Sequence, residues 1–340
     1  MVQTGSPRTI IERTRALADD VLFPGALDTD ASALLPLSNL DALASLGLYG
    51  AAMPAQVGGL GLTPAELLEI VEILSGGCLT TAFVWLQHLG ASNVIAHADH
   101  LVADGTAAAA ASGELRLGVA FAHLRRPGPP VLSASRTTGG WLLSGSAPWV
   151  TGWERIHRVH TASLQHDDAQ TIVWGLVDAV AGPTLRAQRL ELAAVNASST
   201  VTVHFEDHFV PDDRVTVIEP IREWMVRDAA GLRTNGSLAI GVADRCRTLL
   251  GDSGDGLADE LGRRRASLDA AAPGAEMAVA RAEASAFALR CSAAALAEGG
   301  GQGIVRDQQA QRLAREALFL LVQGQTAAIK SAQLEVFTHG

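Results

Sequence analysis

Few residues of this chain have the types and spacing to do chemistry. His123 lies in the β-like run GVAFAHL; as a histidine it could act as an acid or base or be only a polar strand residue. His88 lies in a helical run with no partner visible in the sequence. Trp149-Val150-Thr151 sets a broad apolar ring two residues from a hydroxyl, which by itself reads as a core tryptophan and an ordinary strand threonine. The run GGGQG, Gly299 to Gly303, could bring backbone N–H groups close to a phosphate or simply end a helix. Arg263-Arg264-Arg265 is the basic cluster that stands out, and it reads as a solvated helix end. Cys78, Cys246 and Cys291 are far apart, lack metal spacing and read as small buried hydrophobes in a reducing compartment.

The elements that must position these residues follow from composition and periodicity. The chain has 340 residues, 48% of them hydrophobic, a mean hydropathy of +0.20, a net charge of −10 and a pI near 5.4. That length suffices for two or three cored domains. The acidic balance excludes the usual basic face of a nucleic-acid-binding domain. No apolar run reaches the ~18–20 residues of a spanning helix, and the N-terminus has no signal-like apolar core, so a cytoplasmic, non-membrane protein is expected.

Residues 1–115 read as an all-α domain. Within it Thr63, Pro64 and Glu66 spell a capping box at the start of PAELLEIVEILSGG. At Gly118 the pattern changes to short β-rich runs separated by Gly, Pro, Asp and Asn, which predicts a small β-barrel or sandwich over 116–217. From Ile221 helical periodicity returns, and 218–340 reads as a four-helix bundle. The expected fold class is α+β.

Several segments, in this order, carry a resemblance. LYGAAMPAQVGGLGL (48–62), LLSGSAPWVTG (142–152), VNASSTVTVHFEDHFVP (195–211), GLRTNGSLAIGVADRCRTLLG (231–251) and QRLAREALFLLVQGQTAAI (311–329) are similar to successive motifs of acyl-CoA dehydrogenases. The last resembles the signature E-R-x-x-R-D-A, an apolar run, then G-T-x-E-I, whose glutamate removes a proton from the acyl-CoA α-carbon. Gln325, Thr326, Ala327, Ala328 and Ile329 fill the final five positions, which sets Ala328 where the base is expected. A methyl group cannot accept a proton.

The resemblance implies FAD as cofactor. Trp149 would wall the isoalloxazine and the Thr151 hydroxyl would donate near N5, with Val150 between them. Phe121, Ala122 and His123 occupy the family's L/M-T/S-E positions, where backbone donors meet the pyrimidine and His123 could replace the acid or base. Gln325 and Thr326 would border the ring. Gly300 and Gly301 would be the remnant of Q-x-x-G-G-x-G, which contacts FAD of a neighbouring subunit.

Three features depart from the family. The A-G-S-D turn is absent after His123, R-x-Q-F-G has Arg265 as its nearest candidate, and Q-x-x-G-G-x-G survives only as GGGQG. Glu335 lies about two helical turns past Ala328, roughly 10 Å, and is a poor positional substitute for the base. On the first bundle helix Arg233, Asn235 and Ser237 offer no substitute carboxylate. The implied function is an FAD-dependent oxidoreductase with altered chemistry on a small-molecule substrate such as an acyl thioester. The alternatives are a flavin monooxygenase, an inactive subunit paired with an active homologue, and a binding protein without flavin. A homodimer, homotetramer or hetero-oligomer is expected.

Overall fold

The structure is a computed structural model that describes residues 7–125 and 132–339. It opens with seven helices: α1 (Pro7–Leu17), α2 (Ala26–Ala31), α3 (Leu37–Ser45), α4 (Pro64–Gly77), α5 (Leu79–Ile95), α6 (Asp99–Ala103) and α7 (Thr106–Ser112). The expected capping box starts α4. The Thr63 amide donates to Glu66 Oε2 at 2.8 Å, and the Glu66 amide donates back to Thr63 Oγ1 at 3.3 Å. α5 is buried on nearly every face, from Leu79 and Ala82 to Leu89 and Ile95, so it runs through the interior.

Eight strands follow: β1 (Leu117–Ala120), β2 (Leu132–Thr137), β3 (Gly140–Val150), β4 (Arg158–Gln165), β5 (Asp168–Asp178), β6 (Leu185–Arg189), β7 (Val201–Pro211) and β8 (Val215–Pro220). They form one sheet in the order β6-β7-β3-β2-β4-β5-β8, with β1 parallel to β4. The path ends at β6 and β8, so hydrogen bonding does not close the expected barrel. Trp141, Leu143 and Ala147, with Val150 beyond a register shift, turn one face of β3 into the sheet's own core, with Val203 and Phe205 opposite on β7.

Five helices complete the chain: α8 (Ile221–Leu249), α9 (Ala258–Ala270), α10 (Ala275–Glu298), α11 (Gln309–Val322) and α12 (Ala327–His339). Four were expected. The last run is broken at Gly324, whose φ of +59° ends α11 and redirects the chain into α12. GVAFAHL is likewise shorter as a strand than expected, because after Ala120 the chain turns into a 3-10 turn at Ala122–Arg125. The largest core joins both ends of the chain, packing Leu43, Val71, Leu74 and Trp85 with Leu238, Val242, Phe287 and Leu313.

Candidate functional site

The expected site residues fall into three places. In the first, His123 is buried in the Ala122–Arg125 turn, with Nε2 3.0 Å from the Ala162 carbonyl. A carbonyl only accepts, so Nε2 carries the proton in this contact. The turn packs on β3, the strand that carries Trp149 and Val150. Phe121 belongs to an aromatic group that sequence reasoning missed: its ring centroid lies 5.9 Å from Trp224 and 6.3 Å from Trp174, which stacks on His160 at 4.6 Å. The segment expected to carry an A-G-S-D turn lies largely in 126–131, outside the described residues.

Trp149 ends β3 with φ +64° and stays 45% exposed. A bulky residue held left-handed and aromatic face outward is costly unless surrounding structure imposes it. Thr151 points the other way. It is buried, its hydroxyl 3.0 Å from that of Thr200, which is 2.9 Å from Ser198 Oγ. Any ligand using Thr151 as donor therefore competes with a buried hydroxyl chain.

The second place is the turn between α11 and α12. Gln325 Nε2 donates to Gln333 Oε1 at 2.8 Å, and Thr326 Oγ1 accepts from the Ile329 amide at 3.2 Å, so both side chains secure the start of α12. Ala328 is exposed on the first turn of that helix. The residues of this segment that meet other elements are instead Gln323 and Gly324. Gln323 Nε2 lies 3.4 Å from Asn235 Oδ1 of α8, and the Gln323 carbonyl accepts from Arg281 of α10 at 3.0 Å. A Cβ on Gly324 would lie 3.0 Å from Asn235 Nδ2 and 3.6 Å from Arg125 Nη1.

Arg125 links the two places. Its guanidinium sits 5.1 Å over the Phe121 ring and is bidentate to Asp228 of α8, Nε to Oδ2 at 2.8 Å and Nη2 to Oδ1 at 2.6 Å. Asp228 is thus a carboxylate on the first bundle helix, which the sequence reading did not single out. It precedes Asn235 by seven residues, about two turns along one helical face, and that spacing was the available signal.

The third place is remote. Gly300 and Gly301 are exposed in the turn after α10, and no hydrogen bond or ring contact among the described residues joins them to the other two groups. Arg265 is tied to Glu72 of α4 at 2.9 Å, beside a cavity of about 890 Å³ between α1, α4, α8 and α9. Glu335 is exposed on α12. His88 is structural: its Nδ1 accepts from the Leu117 amide at 3.1 Å and its Nε2 faces the Tyr49 carbonyl at 3.2 Å, which fixes the neutral ring. Among the described residues no group of three His, Cys, Asp or Glu could hold a metal ion.

A helical lead, a central sheet and a helical tail, with an aromatic and polar seam between sheet and tail, define an acyl-CoA dehydrogenase fold. The profile of the acyl-CoA dehydrogenase N-terminal domain matches residues 4–114. The chain is 25% identical over 225 residues to a 3-sulfinopropanoyl-CoA desulfinase of Paraburkholderia xenovorans, covering 62% of this chain and 56% of that protein. It is 33% identical over 158 residues to an L-evernosamine nitrososynthase of a Micromonospora strain, covering 42% and 35%. Butyryl-CoA dehydrogenase from Megasphaera elsdenii superposes with a TM-score of 0.79 at 15% identity, covering 100% of this chain and 98% of that one. The chain belongs to the acyl-CoA dehydrogenase superfamily. Its matched region spans about half the length of the desulfinase.

Proposed function

We propose that this chain is an FAD-dependent oxidoreductase of the acyl-CoA dehydrogenase type that lacks the usual base for the α-proton and so performs altered chemistry. One observation carries the reading. The α11–α12 turn meets α8, α10 and Arg125 through an amide, Gln323, and a glycine, while Ala328 faces outward. An amide is no better a proton acceptor than a methyl at neutral pH. The carboxylate closest in sequence to Asn235 on α8, Asp228, is engaged by both arms of Arg125.

FAD, when bound, would supply a two-electron oxidant. The residues fit its ring end in part. Exposed Trp149 offers the wall, Val150 carries the strand past it, and Phe121, Ala122 and His123 offer backbone. Thr151 would donate to the ring by turning its hydrogen away from Thr200. Gln325 and Thr326 would border the ring through their backbone, and Gly300 with Gly301 would serve the phosphates of a second copy. Arg265 does not fit a phosphate role, being held by Glu72. The substrate is a small molecule, an acyl thioester in the first reading. A flavin monooxygenase is the second, favoured by the 33% identity to the nitrososynthase.

The visible spectrum of the purified chain tests the reading. Absorbance near ~450 nm on isolation or after adding FAD supports a flavoprotein. A chain that takes up flavin only with a co-expressed homologue would be a partner subunit, and one that never does would end the proposal. Octanoyl-CoA should leave the bound flavin unbleached under anaerobic conditions; rapid bleaching would reveal a base elsewhere.

A further inference from the structure

Arg281 stands in α10 with its side chain buried and no carboxylate against it among the described residues. Its terminal nitrogens donate to the carbonyls of Leu232, at 3.2 Å, and Gln323, at 3.0 Å; its Nε donates to nothing. Carbonyl dipoles satisfy N–H groups but do not neutralise a charge, and a buried cation without a counter-charge is costly. The charged neighbour acting on it is another arginine, Arg125. Burial first, then Arg125, lower the Arg281 pKa to about 10, which leaves it cationic at neutral pH.

Around the cavity beside Glu72, Arg15 pairs with Glu69, Arg233 with Asp269, Arg245 with Asp19 and Arg265 with Glu72. The α11–α12 turn differs: Arg125 pairs with Asp228, Arg281 has no carboxylate against it, and the other polar groups, Asn235 and Gln323, are uncharged. One positive charge is left over. The peptide between Gln323 and Gly324 adds a donor. Its carbonyl is bound to Arg281, which polarises the peptide, while the Gly324 N–H makes no hydrogen bond within the described chain. A Cβ at Gly324 would lie 3.0 Å from Asn235 Nδ2 and 3.6 Å from Arg125 Nη1, so both donors border this turn.

We infer that the Gln323–Gly324 turn recognises an oxyanion, and that the substrate is an organic acid whose carboxylate is received by the Gly324 N–H, Arg125 Nη1 and Asn235 Nδ2, with Arg281 supplying the balancing charge from behind. Backbone and side-chain donors converging under a buried cation are the arrangement such a group requires. The inference rests on the reading of this region as the reaction site, and it adds the substrate's charge.

Calorimetric titration of the full chain with glutarate, and with its neutral isostere glutaramide, in excess FAD, tests it. Glutarate should bind saturably and more weakly as salt rises, and glutaramide should not bind. Arg125→Gln should weaken glutarate about tenfold. Asp228→Asn should tighten it, because it removes the resident partner of Arg125. Arg281→Met should abolish binding, with circular dichroism reporting whether the fold survives; if it does not, the opposite signs of the Arg125 and Asp228 variants decide. Equal binding of the two probes, variants without effect, or FAD uptake without glutarate binding would overturn the inference. Glutarate binding to a chain that takes no FAD would leave the anion site standing and remove the flavin reading.

Discussion

Two buried histidines contribute to how this protein responds to acid. His88 sits between the Leu117 amide and the Tyr49 carbonyl, and His160 between Thr216 and the Trp174 ring. Burial pushes both pKa values down to about 3, far below the ordinary value of 6.5. The unfolded chain therefore takes up protons that the folded chain refuses. The stability these groups contribute is complete above pH 6.5 and is lost as pH falls from there towards 3. Each histidine should cost about 1.4 kcal/mol per pH unit in that window. Urea melts at pH 7 and pH 5 should show the loss, and His88→Gln or His160→Gln should each make the slope shallower. A stability flat across that range would contradict the neutral buried rings.

At the scale of elements, the α4–α8 crossing depends on glycine. A Cβ at Gly241 would lie 2.1 Å from the Glu72 carbonyl and from Ser75 Oγ, and one at Gly76 would lie 2.9 Å from the Gly241 carbonyl. Gly241→Ala gains roughly 1 kcal/mol of helix propensity. The clash should exceed that gain, for a net loss of about 2–3 kcal/mol in urea denaturation. A second dependence lies in α11, where Arg312 and Glu316 form a buried pair at 2.6 Å. Burial raises the Glu316 carboxyl above the ordinary range, and Arg312 pulls it back. Glu316→Gln should cost about 3–5 kcal/mol by stranding the guanidinium, whereas Arg312→Met combined with Glu316→Leu should cost far less. Equal losses in the two variants would show that packing, not charge, dominates there.

At the scale of the whole molecule, α11 is where distant parts of the chain meet. Arg312 lies over the Phe23 ring, Gln309 donates to the Phe23 carbonyl, and Arg315 pairs with Asp30 and reaches the Ala193 carbonyl. Its outer face, with that of α12, leaves Leu318, Val322, Leu334 and Phe337 exposed. We expect that face to be covered by another subunit. Val322→Glu with Phe337→Glu should lower the sedimenting mass while leaving the melting temperature within a few degrees; a wild-type chain that sediments as a monomer would refute this. Among the described residues no helix is long and apolar enough to cross a membrane.

Local signals determined much of the architecture from sequence alone. The capping box at Thr63 and Glu66, the change of period at Gly118 and the helical run from Ile221 each depend on neighbours a few residues away, and each appears as expected. The superfamily was legible for the same reason, since its motifs are short and ordered. The site was legible only in part. Trp149 and Thr151 were found, but nothing in a strand's alternation told that a left-handed φ would turn one outward and the other in. Ala328 drew attention by its place in a motif, yet the break at Gly324 turns it to solvent and brings Gln323 against Asn235 and Arg281. The pairing of Arg125 with Asp228 spans 103 residues, and the bond from Arg281 to Gln323 spans 42. Contacts at such separations depend on how packed elements cross, which is a property of the tertiary fold rather than of local periodicity.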